Sequence, residues 1–194
     1  MNDFGLYFEI GWQHIADLRG IDHILFIAAL CLRYALSDWR RLLILVTAFT
    51  VGHSITLALS VFDVLSFSVN WIEFLIPITI CIAAINNAFV KSYSTSTKFP
   101  AIYFLALFFG LIHGLGFSNY LKSIIGREES IIPRLFAFNM GLEFGQLLIV
   151  GGILGIGIIF VTLLQINRKA YLLFVSGGIF ALALQMAIDR FHAL

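Results

Sequence analysis

Apolar runs long enough to cross a bilayer recur along the chain, separated by short polar stretches. A spanning helix needs about 20 apolar residues. On that measure the pattern predicts six spans, at residues 21–37, 41–62, 70–90, 99–121, 133–165 and 170–189. The stretch 1–20 is too short and too polar to span. Its Phe4, Leu6, Tyr7, Phe8, Ile10 and Trp12 suit the membrane boundary, where Trp and Tyr are enriched. An interfacial or re-entrant segment ending at Gly20 is therefore expected. Polar punctuation falls at Ser37-Asp38-Trp39-Arg40-Arg41, in the Ser/Thr-rich stretch 91–98 and in the loop 122–131. Pro133 suits a helix's first turn, and the fifth span exceeds what a bilayer needs, so it should tilt or protrude. The predicted fold is all-α: a polytopic membrane helix bundle forming one domain over residues 1–194.

Composition fits this class. The chain is 60% hydrophobic and 12% charged, where soluble domains are about a quarter charged. Mean hydropathy is +0.98. A net charge of +1 without a basic run excludes nucleic acid as a partner. The partner this composition implies is the lipid bilayer, with an oligomer or accessory proteins left open. Cys31 and Cys81 fall inside apolar segments and read as buried free thiols. Asp3 and Glu9 stand where a basic n-region would be, so no cleavable signal peptide is expected.

Six spans put both termini on one side. One set of loops holds Arg40, Arg41, Lys91, Lys98, Arg168 and Lys169 against Asp38 alone, while most acids lie on the other. The positive-inside rule then places both termini outside. The expected location is a bacterial inner (cytoplasmic) membrane.

Polar residues inside apolar spans are costly and mark function or interhelical contacts. Asp22 and His23 stand where the first span begins, with His14 upstream. Thr47, Thr50, His53 and Ser54 recur at helical steps on the second span. Glu73 precedes Pro77 by one turn. His113 sits among Gly110, Gly114 and Gly116. Asn139, Glu143 and Gln146 share one face of the fifth span. At about 1.5 Å per residue, His53 and His113 lie roughly 12 Å below the outer surface, with Asp22, His23 and Glu73 at the rim and Glu143 deeper. The expectation is a tiered, outward-opening funnel. Imidazole with carboxylate suits zinc, nickel, cobalt or iron, and a carboxylate can orient a ligating histidine through its other N–H. His14, Asp22, His23, His53, His113 and Glu143 are the candidate ligands, supported by Ser54, Glu73, Asn139 and Gln146. His192 reads as a terminal polar residue. Gly141 and Gly145 form a GxxxG pattern that allows close helix approach.

These motifs resemble the HupE/UreJ family, membrane proteins that accompany hydrogenase and urease systems. The resemblance rests on His14 with Gly20-x-Asp22-His23, on the stretch from Thr50 to Leu57 around Gly52-His53-Ser54, and on Ile72-Glu73-Phe74-Leu75-Ile76-Pro77. It continues through His113-Gly114-Leu115-Gly116-Phe117 and Phe138-Asn139-x-Gly141-x-Glu143-x-Gly145-Gln146. It implies a six- or seven-helix bundle, a divalent-metal permease role for nickel or cobalt, and a metal-contacting His14/Asp22/His23 element. Ile15 replaces the family's proline after the first histidine, residues 16–19 lengthen the gap, and no His-rich tail is present.

Two functions fit this set. The first is a nickel/cobalt-type permease in which the ion is substrate, with Asp22, His23, His53, His113 and Glu143 along the path and His14 and Glu73 at the mouth. The alternative is an intramembrane zinc-dependent hydrolase, with Glu143 or Asp22 as general base and Ser54 polarising the substrate. A third class leaves the polar residues as interhelical glue. No Gly-x-Ser-x-Gly elbow and no P-loop occurs, which argues against a serine hydrolase and excludes a nucleotide-driven pump.

Overall fold

The computed structural model describes residues 3–18, 20–65, 67–89, 101–125 and 131–194. The stretch 91–98, Arg19 and residues 126–130 of the loop 122–131 lie outside these. The described residues form α1 (Asp3–Ala16), α2 (Asp22–Cys31), α3 (Trp39–Val61), α4 (Val69–Ala88), α5 (Ala101–Ile125), α6 (Ile131–Gly157) and α7 (Arg168–Phe191). A 3-10 turn at Leu36–Asp38 leads into α3, and a π-helical turn at Ile158–Leu163 extends α6. Five of the helices are long and apolar enough to cross a membrane.

The five later spans match the sequence pattern to within a few residues, apart from the π-helical end of the fifth. The first does not. Where 21–37 was expected, α2 has only 10 residues, about 15 Å of helix and half a hydrocarbon core. The other half is supplied from an unexpected place. The stretch 1–20 holds a 14-residue helix, α1, packed lengthwise on α6. Asp3 pairs with Arg134 in the first turn of α6 at 3.1 Å, and Ile15 meets Gly145 further along. From the other end of the break, α2 runs on: Asn87 at the end of α4 donates to the Ala29 carbonyl at 2.8 Å, and Arg168 donates to the Arg33 carbonyl at 3.1 Å. Together α1 and α2 cover the length of the bundle, with the interruption between Ala16 and Asp22.

One end of the bundle collects the starts of α1, α4 and α6 and the ends of α3, α5 and α7. Lys122 bonds Asp63 there at 2.7 Å, and Asn70 donates to the Ala193 carbonyl at 3.1 Å. Both termini of the described chain therefore share one face, called here the terminal face. At the other face Asn167 caps α7, its side chain accepting from the backbone N–H of Lys169 and Ala170.

Glycine decides which helices touch. α3 and α5 pack with backbones in contact: Gly52 lies against the Leu107 carbonyl, Gly110 against the Phe49 carbonyl and Gly114 against the His53 carbonyl. α1 and α6 do the same through Gly11 on the Phe138 carbonyl and Gly141 on the Phe8 carbonyl. The GxxxG pattern thus serves contact with α1. By contrast Gly151, Gly152, Gly155 and Gly157 face open space, on a span of which only 11% of the most apolar window is buried. That is the surface of a helix facing lipid.

A Cβ at Gly110 would overlap backbone, whereas one at Gly152 would meet nothing. Gly110→Ala is expected to destabilise the bundle by about 1–3 kcal/mol, the usual cost of overpacking. Gly152→Ala should cost nothing. Thermal unfolding in detergent checks the contrast.

Candidate metal centre

Four helices converge at the break between α1 and α2. His14 lies in the last turn of α1, Asp22 and His23 open α2, His53 is on α3 and His113 is on α5. His14, His23 and His53 each present a ring nitrogen, all within 4.8 Å of one another. Nitrogens sharing one ion at the roughly 2.0–2.1 Å of a metal–imidazole bond can be no more than about 4.2 Å apart, so the spacing is near that of a shared site. His23 and His113 have ring centroids 5.2 Å apart.

Hydrogen bonding fixes which nitrogens face inward. Asp22 Oδ1 sits 3.1 Å from His23 Nδ1, so that nitrogen carries the proton and Nε2 keeps a lone pair. Thr79 has one hydroxyl proton and gives it to the Ile76 carbonyl at 2.6 Å. Towards His113 Nε2, 3.2 Å away, it can only accept. His113 therefore holds its proton on Nε2 and leaves a lone pair on Nδ1. Among the described residues, His14 Nε2, His23 Nε2, both nitrogens of His53 and His113 Nδ1 are buried without a hydrogen-bond partner. His53 is fully buried. A single unpaired buried polar atom is costly. Each neutral imidazole has one lone pair to offer, and the three ring nitrogens of His14, His23 and His53 lie close enough together to form a candidate donor set for a divalent ion.

A cavity of about 290 Å³ opens onto the cluster from the terminal face, lined by His14, Asp17, Asp22, His23, Glu73 and His113 among others. Phe117 lies over the His14 ring at 3.7 Å between centroids. On the far side the way is closed by Phe26, Phe49 and Phe109, all buried, with Phe26 5.1 Å from both Phe49 and the His113 ring.

The tiered funnel expected from the sequence is replaced by a single level. Asp22 and His23 are not at the rim, because α2 begins midway through the bundle; the His23 ring lies 6.3 Å from His53. His14, expected at the mouth, is in the cluster. Glu73 is exposed and lines the cavity. Glu143 is elsewhere: its Oε1 accepts from Thr47 at 2.8 Å. Gln146 accepts from Thr50 at 2.7 Å and its Nε2 is left unpartnered. Asn139 is partly buried on the same helix. Ser54 gives its hydroxyl to the Thr50 carbonyl in its own helix at 2.7 Å. Sequence reasoning missed Thr79 and gave Arg190 no role. The only signals were a threonine two residues after Pro77 and a charge in the last turn of an apolar helix.

The family model described as HupE / UreJ protein matches residues 1–190. The chain belongs to the HupE/UreJ family. No curated protein and no solved structure matches it. The HupE/UreJ family is tied to nickel and cobalt handling, and this member's buried histidine cluster has the donor chemistry for such ions.

Metal binding by the purified protein tests the cluster. His14→Ala, His23→Ala and His53→Ala should each weaken nickel binding by more than the roughly 10- to 100-fold typical of losing a ligand's supporting partner. His192→Ala should change nothing. Isothermal titration in detergent gives the affinities.

Proposed function

We propose that this HupE/UreJ protein is a permease for divalent transition metals of the nickel/cobalt type, with the ion as substrate. The observation that carries the reading is the set of buried, unpartnered imidazole nitrogens at the base of a cavity open to one face. An ion arriving from the terminal face meets the carboxylates of Glu73 and Asp17, which attract it. It exchanges water for the imidazoles of His14, His23 and His53, with His113 beside them. Asp22 holds His23 in the tautomer that offers Nε2. Neutral nitrogen donors bind a hydrated cation without fixing it irreversibly, as conduction requires. Onward passage needs Phe26, Phe49 and Phe109 to move, so the arrangement corresponds to a state loaded from one side. Beyond them the Thr47–Glu143 and Thr50–Gln146 pairs offer oxygen atoms. Arg33, Arg40, Arg41, Arg168 and Lys169 gather at the opposite face. By the positive-inside rule that face is cytoplasmic and the cavity faces outward.

The same imidazoles would suit a hydrolytic zinc, but both named bases are engaged, Asp22 by His23 and Arg190 and Glu143 by Thr47. That observation favours passage over hydrolysis.

Proteoliposomes of the purified protein should accumulate nickel or cobalt, and His53→Ala should lower the rate by roughly tenfold or more. Uptake equal to that of empty vesicles would sink the permease reading.

A further inference from the structure

Arg190, in the last turn of α7, makes two directed contacts. Its Nη1 donates to the Glu73 carbonyl at 2.8 Å, and its Nη2 donates to Asp22 Oδ2 at 3.3 Å. The first follows from the sequence. Pro77 lies inside α4 and has no N–H, so the Glu73 carbonyl four residues earlier has no helical donor. An unsatisfied carbonyl in a membrane bundle is costly, and Arg190 supplies the missing proton. The guanidinium is thereby anchored on α4, with its planar fork aimed at α2.

The second contact completes Asp22. Oδ1 already accepts the His23 backbone N–H at 2.9 Å and lies 3.1 Å from His23 Nδ1. Arg190 takes Oδ2. Both oxygens of a carboxylate that borders the cavity are therefore committed.

We infer that Arg190 is a positioning residue that sets which metals the site accepts. By holding Asp22 as the acceptor of His23, it keeps the donors facing the ion all imidazole. Imidazoles suit nickel, cobalt and zinc, whereas carboxylates suit manganese, magnesium and calcium. Without Arg190, Asp22 turns an anionic oxygen into the cavity beside Glu73, and His23 loses its fixed ring. The site then shifts towards harder ions. This rests on the reading of the histidine cluster as a metal site, and not on transport.

The test compares nickel and manganese affinities of the full chain in detergent by isothermal titration. Arg190→Gln is expected to narrow the nickel-over-manganese preference by about tenfold or more. Arg190→Lys keeps the charge and should retain most of it. In an Asp22→Asn background Arg190→Gln should leave the preference unchanged, because no carboxylate remains to be released. An unchanged preference in folded Arg190→Gln overturns the inference, and so does an equal loss in the Asp22→Asn background. Where Arg190→Gln does not fold, Arg190→Met decides. It keeps an unbranched chain without the donors to Asp22 and Glu73, so an unchanged preference there is equally fatal. Wild-type protein that binds nickel without carrying it would remove the permease reading and leave this one standing. Binding of neither ion would overturn both.

Discussion

Everything at the centre of this bundle depends on backbone-to-backbone contact at glycine. Helices with ordinary side chains pack 8–10 Å apart. Gly52, Gly110 and Gly114 remove the side chains between α3 and α5, and Gly11 and Gly141 do so between α1 and α6. The consequence is chemical as well as steric. Gly110 and Gly114 flank His113 and rest on the backbone of Phe49 and His53, so a backbone-to-backbone approach is also where two imidazoles are delivered. Gly11 rests beside Phe138 and Leu142, one turn before His14. The contacts that stabilise the pairs thus also set the position of the candidate ligands.

The second constraint is the shortage of water. In a membrane interior each polar group needs a protein partner, and most have one. Asn87 bonds both Ala29 and Ser176, Thr50 bonds Gln146, and Thr79 links the Ile76 carbonyl to His113. Against that thorough satisfaction the exceptions are informative. The unpartnered atoms in the α1–α2 break are imidazole nitrogens that converge, whereas a packing accident would scatter them. Away from the cluster, Gln146 Nε2 and Asn139 Oδ1 on α6 are also buried without a hydrogen-bond partner, but neither is an imidazole nitrogen.

Much of this was readable from the residues. Apolar run lengths placed α3 to α7, because each run is nearly the thickness of a bilayer and ends in charge. The histidines and Asp22 were conspicuous as expensive groups flanked by glycine. What failed was the start of the chain. Residues 3–16 have too little length and too much polarity to register as half of a crossing, and residues 21–37 have enough apolar length to register as a whole one. A broken helix gives each half an ambiguous signal, since a spanning criterion looks for continuity. That one error misplaced Asp22 and His23 in depth and turned a single-level cluster into a funnel. Glu143 was misassigned for another reason. Helical periodicity shows that Asn139, Glu143 and Gln146 share a face, but not which neighbour the face meets; here it meets Thr47 and Thr50. Arg190 was unreadable because its partners lie 168 residues away at Asp22 and 117 away at Glu73.

The break also fixes the electrostatics of the site. α2 begins at Asp22, so its first N–H groups and the positive end of its dipole point at the cavity, a field equivalent to about half a unit charge. That end alone would repel a cation. Asp22 offsets it, as an acid in a first turn does, and Arg190 in turn offsets Asp22. With three neutral imidazoles as donors, the immediate surroundings of an ion carry no net negative charge. A storage site would surround the ion with carboxylates or thiolates. A balanced site supplies directional nitrogen donors with little long-range attraction, and leaves the attraction to Glu73 and Asp17 at the mouth. Under the proposed permease function, capture and coordination would be carried by different groups, charge at the mouth and imidazole nitrogens below it.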